Sequence, residues 1–234
     1  NEGRYNVMSV SLLRSASGKL HMVYLVKNSW LDCRPYLRTS ADDGATWSAP
    51  KLILQAPGYF VVNNDRLIQT AKGRLILPVA FHRSRGQDPL SSRSFDARAT
   101  ALWITSDDDG KTWQESANWW AMPVRSGSGL QEPGLVENPD GSLFSWARTD
   151  AGFQYGFVSN DGGKAWSAPV PTTLASATGV FYLAPNGNGL GGAQFLTAAP
   201  SRAGITHDYY WNNNAYRVIQ PQSKKPGSLS AMPS

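Results

Sequence analysis

At 234 residues and 41% apolar content, the chain is long enough to bury a sizeable core and too mixed in composition to stay disordered. No run approaches the roughly 18 apolar residues of a membrane span. The first residues carry no secretory leader pattern, and the one cysteine, Cys33, excludes an intramolecular disulfide framework and a multi-cysteine zinc site. The net charge of +5 is scattered, with SKK at 223–225 and His82 to Arg85 as local groupings, which argues against a nucleic-acid partner and leaves an anionic surface or an acidic sugar.

Along the chain, the same two patterns return in the same order. The first is an apolar run, a glycine-centred turn and a second apolar run, SVSLLRSASGKLHMVYL, followed by the octapeptide SADDGATW at 40–47. DRLIQTAKGRLILPVAF is then followed by SDDDGKTW at 106–113, and GLVENPDGSLFSWAR by SNDGGKAW at 159–166. The octapeptide, S-x-D-x-G-x-T-W, is an Asp box in which only Ala165 departs from the Thr position. Its Asp caps backbone N–H groups, its Gly takes positive φ and its Trp anchors the turn by burial. The run lacks the oxygen series and closing Glu of a calcium loop, so no metal is expected there.

Two strands before each box, one leading into it and one after its Trp give four antiparallel strands per unit. Gly18, Gly73 and Gly141 set unit spacings of 55 and 68 residues. Units of that size predict an all-β β-propeller of four-stranded antiparallel blades, over residues 5–50, 59–115 and 130–170. Three blades do not close a ring, since propellers use about four to eight. The expectation is therefore one propeller domain over 1–220, incomplete as a ring, with an irregular fourth blade after Thr172 and a disordered Pro/Ser-rich tail at 221–234.

In such a blade the first strand's start, the second strand's end and the loop after it share one rim, and the Asp boxes lie on the other. Nine residues before each turn glycine stand Ser9, Asn64 and Glu132. Beyond the second strands stand Lys27, His82, Arg148 and Asp150, and the following loops add Asp32, Arg34, Arg83, Arg85 and Asp88. Polar groups from three blades thus face one mouth, the candidate site. Glu132, a carboxylate on an innermost strand, needs a cation or a role, and Arg148 is its partner. His82 reads either as a site residue or as a satisfied strand-end histidine. Asp65 and Arg66 read either as site residues or as a local ion pair. Tyr59 and Tyr155 read as packing residues.

Asp boxes on successive blades, with Glu132 and Arg148 flanking the hairpin QEPGLVENPDGSLFSWAR, resemble the sialidase (neuraminidase) superfamily over residues 5 to about 170. The resemblance implies a propeller that is six-bladed when complete, with these units as blades two to four. It also implies arginines that hold a sialic acid carboxylate, a Tyr nucleophile assisted by a Glu, and an Asp as general acid/base. On that match Glu132 activates the nucleophile and Arg148 grips the carboxylate through its guanidinium fork. Asp32 and Asp65, which sit in no family motif, are the candidates to stand near the glycosidic oxygen, and Arg66, His82 and Asn64 are candidates to contact substrate.

The family's Arg-Ile-Pro motif is absent, and Arg4-Tyr5-Asn6 does not align with it. After Trp166, Arg217, Tyr209, Tyr210 and Tyr216 are candidates by residue type alone. The implied function is an exo-glycosidase that releases terminal sialic acid or a related acidic sugar from sialylated or other acidic glycans. It needs no cofactor or metal and works in an extracellular or periplasmic setting. The alternatives are a non-catalytic glycan- or protein-binding propeller and a hydrolase of the same fold acting on another sugar.

Overall fold

The computed structural model describes residues 2–176. The expected fourth blade beyond Ser176, the tail at 221–234, and Arg217, Tyr209, Tyr210 and Tyr216 lie outside the described residues. Blade one contains β1 (Asn6–Arg14), β2 (Leu20–Lys27), β3 (Cys33–Ser40) and β4 (Lys51–Leu52). In blade two the inner strand is split into β5 (Tyr59–Val61) and β6 (Ile68–Gln69), followed by β7 (Leu75–Ser84), β8 (Phe95–Ser106) and β9 (Gln114–Glu115). Blade three contains β10 (Gln131–Glu137), β11 (Leu143–Arg148), β12 (Phe153–Ser159) and β13 (Val170–Ala175). Within each blade successive strands pair antiparallel, and one parallel bridge, Cys33 to Tyr59, joins blades one and two.

The apolar pattern explains the stacking. Strand β7 reads LILPVAF without alternation because both of its faces are covered. Leu75, Leu77 and Val79 pack with Val23, Leu25 and Leu37 of blade one, whereas Ile76 packs with Leu130, Leu135, Leu143 and Phe157 of blade three. Trp103 is fully buried between blades two and three. It stacks on Trp166 of the third Asp box with centroids 4.2 Å apart, and its Nε1 donates to Ser145 Oγ at 3.0 Å. Trp47 and Trp113, the other box tryptophans, are half-buried.

The Asp boxes close the turns from third to fourth strand as the sequence implies. In the second box Asp108 accepts from the Thr112 N–H at 2.7 Å and from the Thr112 hydroxyl at 2.6 Å, while Gly110 N–H donates to Ser106 Oγ. The first box repeats this at Asp42, Thr46 and Ser40. In the third, Asp161 keeps the Ala165 N–H at 3.0 Å and the Ser159 hydroxyl at 2.8 Å and has no threonine hydroxyl to hold. Boxes also reach the preceding blade. Asp109 takes the buried His21 Nε2 at 2.9 Å and the Lys19 ammonium at 3.3 Å, and Gly162 O accepts from Arg74 Nη1 at 2.9 Å. The boxes therefore fasten the rim opposite the mouth.

Candidate functional site at the mouth

The inner strands of blades one and three share a bulge. Met8 and Ser11 face Leu25 and Val23, and Gln131 and Gly134 face Arg148 and Trp146, so one extra residue sits on the inner strand each time. The bulged residues Ser9 and Glu132 have φ of 61° and 51°, a left-handed conformation that costs a non-glycine residue about 1–2 kcal/mol. Blade two makes a wider excursion, because Val61 and Ile68 face Ala80 and Ile76. Its left-handed residue is Asp65, at φ 53°. Equal spacing from the turn glycine placed Asn64 at this position; the wider bulge moves the equivalence to Asp65.

The bulge turns Glu132 toward the end of β11. Its carboxylate receives Arg148 Nε at 2.9 Å and Nη2 at 3.1 Å, a two-point ion pair with side chains 20% and 17% exposed. Arg148 Nη2 also donates to Gln131 Oε1, and Gln131 Nε2 donates to Ala97 O at 2.9 Å, tying the pair to the start of β8 in blade two. Arg148 Nη1 makes no hydrogen bond among the described residues. One guanidinium thus fixes the carboxylate and keeps N–H donors for an incoming anion.

His82 on β7 lies within electrostatic reach of both Arg148 and Glu132. Its Nδ1 is 2.9 Å from Asp96 O, and a carbonyl only accepts, so the proton sits on Nδ1 and Nε2 carries the lone pair. The ring stacks on Phe95 at 4.4 Å and meets the Tyr59 edge at 5.9 Å. Burial pushes its pKa below the ordinary value, against the opposing pull of the Asp96 carbonyl, which keeps the imidazole neutral. Tyr59 is buried too, and burial drives its hydroxyl up to about 12. Both tyrosines read as packing residues, Tyr59 and Tyr155, are at most 7% exposed.

The remaining candidates separate. Arg66 is 3% exposed, and its guanidinium carbon lies 5.9 Å over the Trp146 ring of blade three. Its N–H donates to Ser11 Oγ of blade one at 2.8 Å, so this residue contacts three blades. Asn64 and Asp65 are exposed on the loop between β5 and β6. Asp32 accepts from Arg34 Nε at 2.7 Å and from Asn28 Nδ2 at 2.9 Å, in a loop that also docks Trp30 N–H on Pro89 O. No hydrogen bond or ion pair among the described residues links Asp32 to the Glu132 pair. The structure thus joins Glu132 to Arg148, with His82 within electrostatic reach of the pair and Arg66 packed over Trp146 of the same hairpin.

Sequence reasoning missed Gln131, Asp96 and Trp146. Gln131 was legible in principle as the polar neighbour of Glu132 in LQEPG, whereas Asp96 and Trp146 act across blades and carry no local signal. Among the described residues, no group of three or more His, Cys, Asp or Glu side chains is placed to hold a metal ion.

This repeat structure has known counterparts. The BNR repeat-like domain family matches residues 3–190. The chain belongs to that family, within the sialidase superfamily. It is 30% identical over 192 residues to an anhydrosialidase of Macrobdella decora, a match that covers 74% of this chain and 22% of that protein. Among solved structures, the intramolecular trans-sialidase of Ruminococcus gnavus, in complex with oseltamivir carboxylate, is 28% identical with a TM-score of 0.46, covering 61% of this chain and 27% of that one. Trypanosoma rangeli sialidase, in its covalent intermediate with 2,3-difluorosialic acid, superimposes with a TM-score of 0.51 at 21% identity, over 72% of this chain and 29% of that one. The chain spans between a fifth and a third of the length of these relatives. The β-propeller fold agrees with the family match and with the Trypanosoma rangeli superposition.

Proposed function

We propose that the mouth belongs to an exo-glycosidase of sialidase type that releases terminal sialic acid or a related acidic sugar from glycoconjugates outside the cytoplasm, in an extracellular or periplasmic setting. The observation that carries this reading is the Glu132–Arg148 pair: a carboxylate and a guanidinium held together at the bulged end of one inner hairpin. In this reading Arg148 Nη1 receives the substrate carboxylate, and Glu132 withdraws a proton from a neutral hydroxyl nucleophile. A neutral nucleophile suits an anionic substrate because it meets no charge repulsion, and a covalent glycosyl-enzyme then yields retention. His82, neutral and presenting Nε2, accepts a hydrogen bond from a sugar hydroxyl.

The relatives support this assignment at the level of lineage. The test is release of the fluorophore from a fluorogenic sialoside by the full-length protein. Glu132→Gln and Arg148→Ala are each expected to lower kcat/KM by about 100-fold or more, the scale of losing a proton-transfer group or a charged anchor. Undiminished release in both variants sinks the site. Sialoside binding without release in the unaltered protein replaces the enzyme by a glycan-binding propeller.

A further inference from the structure

The geometry points to a second binding cleft on the mouth rim, built by Arg83, Arg98 and Arg125, that takes a sulfate or carboxylate group on the sugar adjoining the one removed at the mouth. This inference rests on the glycosidase reading for its place in a substrate, and on its own residues for its chemistry.

Two adjoining cavities of about 360 and 560 Å³ lie between the start of β8 and the loop before β10, and they share Arg98, Arg125 and Ser126. Both acidic groups in the cleft are already occupied by donors, Asp96 as a buried carboxylate and Asp150 as an exposed one. Asp96, with its side chain 4% exposed, binds Arg98 through Nε at 3.1 Å and Nη2 at 2.9 Å, and Arg83 through Nη2 at 3.2 Å. Asp150 accepts from the Ser126 hydroxyl and from the Gly127 N–H at 2.7 Å. The guanidinium groups remain in the open: the side chains of Arg83 and Arg98 are 68% and 54% exposed, and Arg125 makes no hydrogen bond or ion pair among the described residues.

A buried carboxylate that aims two arginines outward, with a third arginine across the gap, is an arrangement for an oxyanion. The wall between them is apolar, from Ala99, Met122 and Val124, and suits the C–H face of a sugar ring. A bare anion would leave that wall uncovered; a charged saccharide uses both.

The location gives the cleft its role. Ala99 is bridged to Gly129, and Leu130 N–H donates to Ala99 O at 2.9 Å, so the floor of the cleft runs directly into Gln131 and Glu132. Ala97 O, next to Arg98, is the acceptor that anchors Gln131 against Arg148. A glycan with its terminal sugar at the Glu132–Arg148 pair would therefore lay its next residue along this wall.

Calorimetry with sugars that lack sialic acid separates this inference from the mouth's activity. The probes are lactose, lactose 6′-sulfate and glucuronyl-lactose at low salt. The expected result is at least about tenfold tighter binding of a charged sugar than of lactose, a gain lost in Arg125→Ala and in the double variant R83A/R125A, and retained in Glu132→Gln. Arg83 and Arg125 are exposed, so these variants are expected to melt with the unaltered protein. Preference for the sulfated over the glucuronyl sugar, or the reverse, identifies which oxyanion the cleft takes. Equal binding of charged and neutral sugars, or a gain that survives R83A/R125A, overturns the proposal. Absent cleavage of a fluorogenic sialoside with an uncharged aglycone overturns the mouth reading alone.

Discussion

Gly134 offers the sharpest test of how the site is built. It sits opposite Trp146 in the β10–β11 ladder, two residues after Glu132. A Cβ added there would stand 2.4 Å from Trp146 Cζ2, 2.8 Å from Cε2 and 3.0 Å from Cη2. Carbon atoms rest about 3.5–4.0 Å apart, so the indole would have to move by roughly 1 Å. It has little room, because Trp146 is 2% exposed and lies beneath the Arg66 guanidinium. Gly134→Ala is therefore expected to destabilise the protein by about 1–3 kcal/mol, the usual cost of overpacking a rigid core.

Urea unfolding followed by tryptophan fluorescence measures the loss. The double variant Gly134→Ala/Trp146→Leu should recover part of it, with a coupling of about 1 kcal/mol or more, because the two side chains touch. An unchanged unfolding midpoint for Gly134→Ala, or additive effects in the pair, would refute the claim that this glycine is required by the indole.

The natural variation among the Asp boxes predicts a stabilising change: Ala165→Thr should restore the hydroxyl bond that Asp42 and Asp108 receive from Thr46 and Thr112, raising stability by about 0.5–1.5 kcal/mol in urea titration. Asp42 and Asp108 are held at about 2, first by those threonine hydroxyls and then by backbone N–H groups, against an ordinary value of 3.8. A depressed carboxylate pKa stabilises the fold fully above the unfolded value, and the contribution fades as pH falls from about 4 through about 2. The thermal midpoint of the protein should thus drop over that interval, and D42N/D108N should drop less; parallel curves would exclude the boxes as a source of acid sensitivity.

Blade order and strand count were legible because the turn glycines and the Asp boxes act locally: Gly18, Gly73 and Gly141 each close a turn whose φ lies between 81° and 87°. The Glu132–Arg148 pair was legible for the same reason, since its members end the two strands of one hairpin. The blade-two position was not. A bulge can absorb one residue or three without altering the turn that follows, so counting back from Gly73 gave Asn64 where the chain sets Asp65 at positive φ. Arg66 looked like a rim charge beside Asp65 and is instead buried over Trp146, a partner 80 residues away that only blade docking supplies. The Asp96 fork escaped the sequence too, because nothing in SFDARA marks which arginines its carboxylate will orient.

The fourth letter of each Asp box shows what repetition conceals. Asp43 takes Arg14 of its own blade at 2.7 Å, Asp109 takes Lys19 and His21 of the blade before it, and Gly162 offers only a carbonyl, to Arg74. The shared letters fold each turn, while the residue at this position makes its contact outside the turn, on the same blade in the first box and on the preceding blade in the second and third. In the second and third boxes, a position that the turn itself leaves open thus joins one copied module to the module before it.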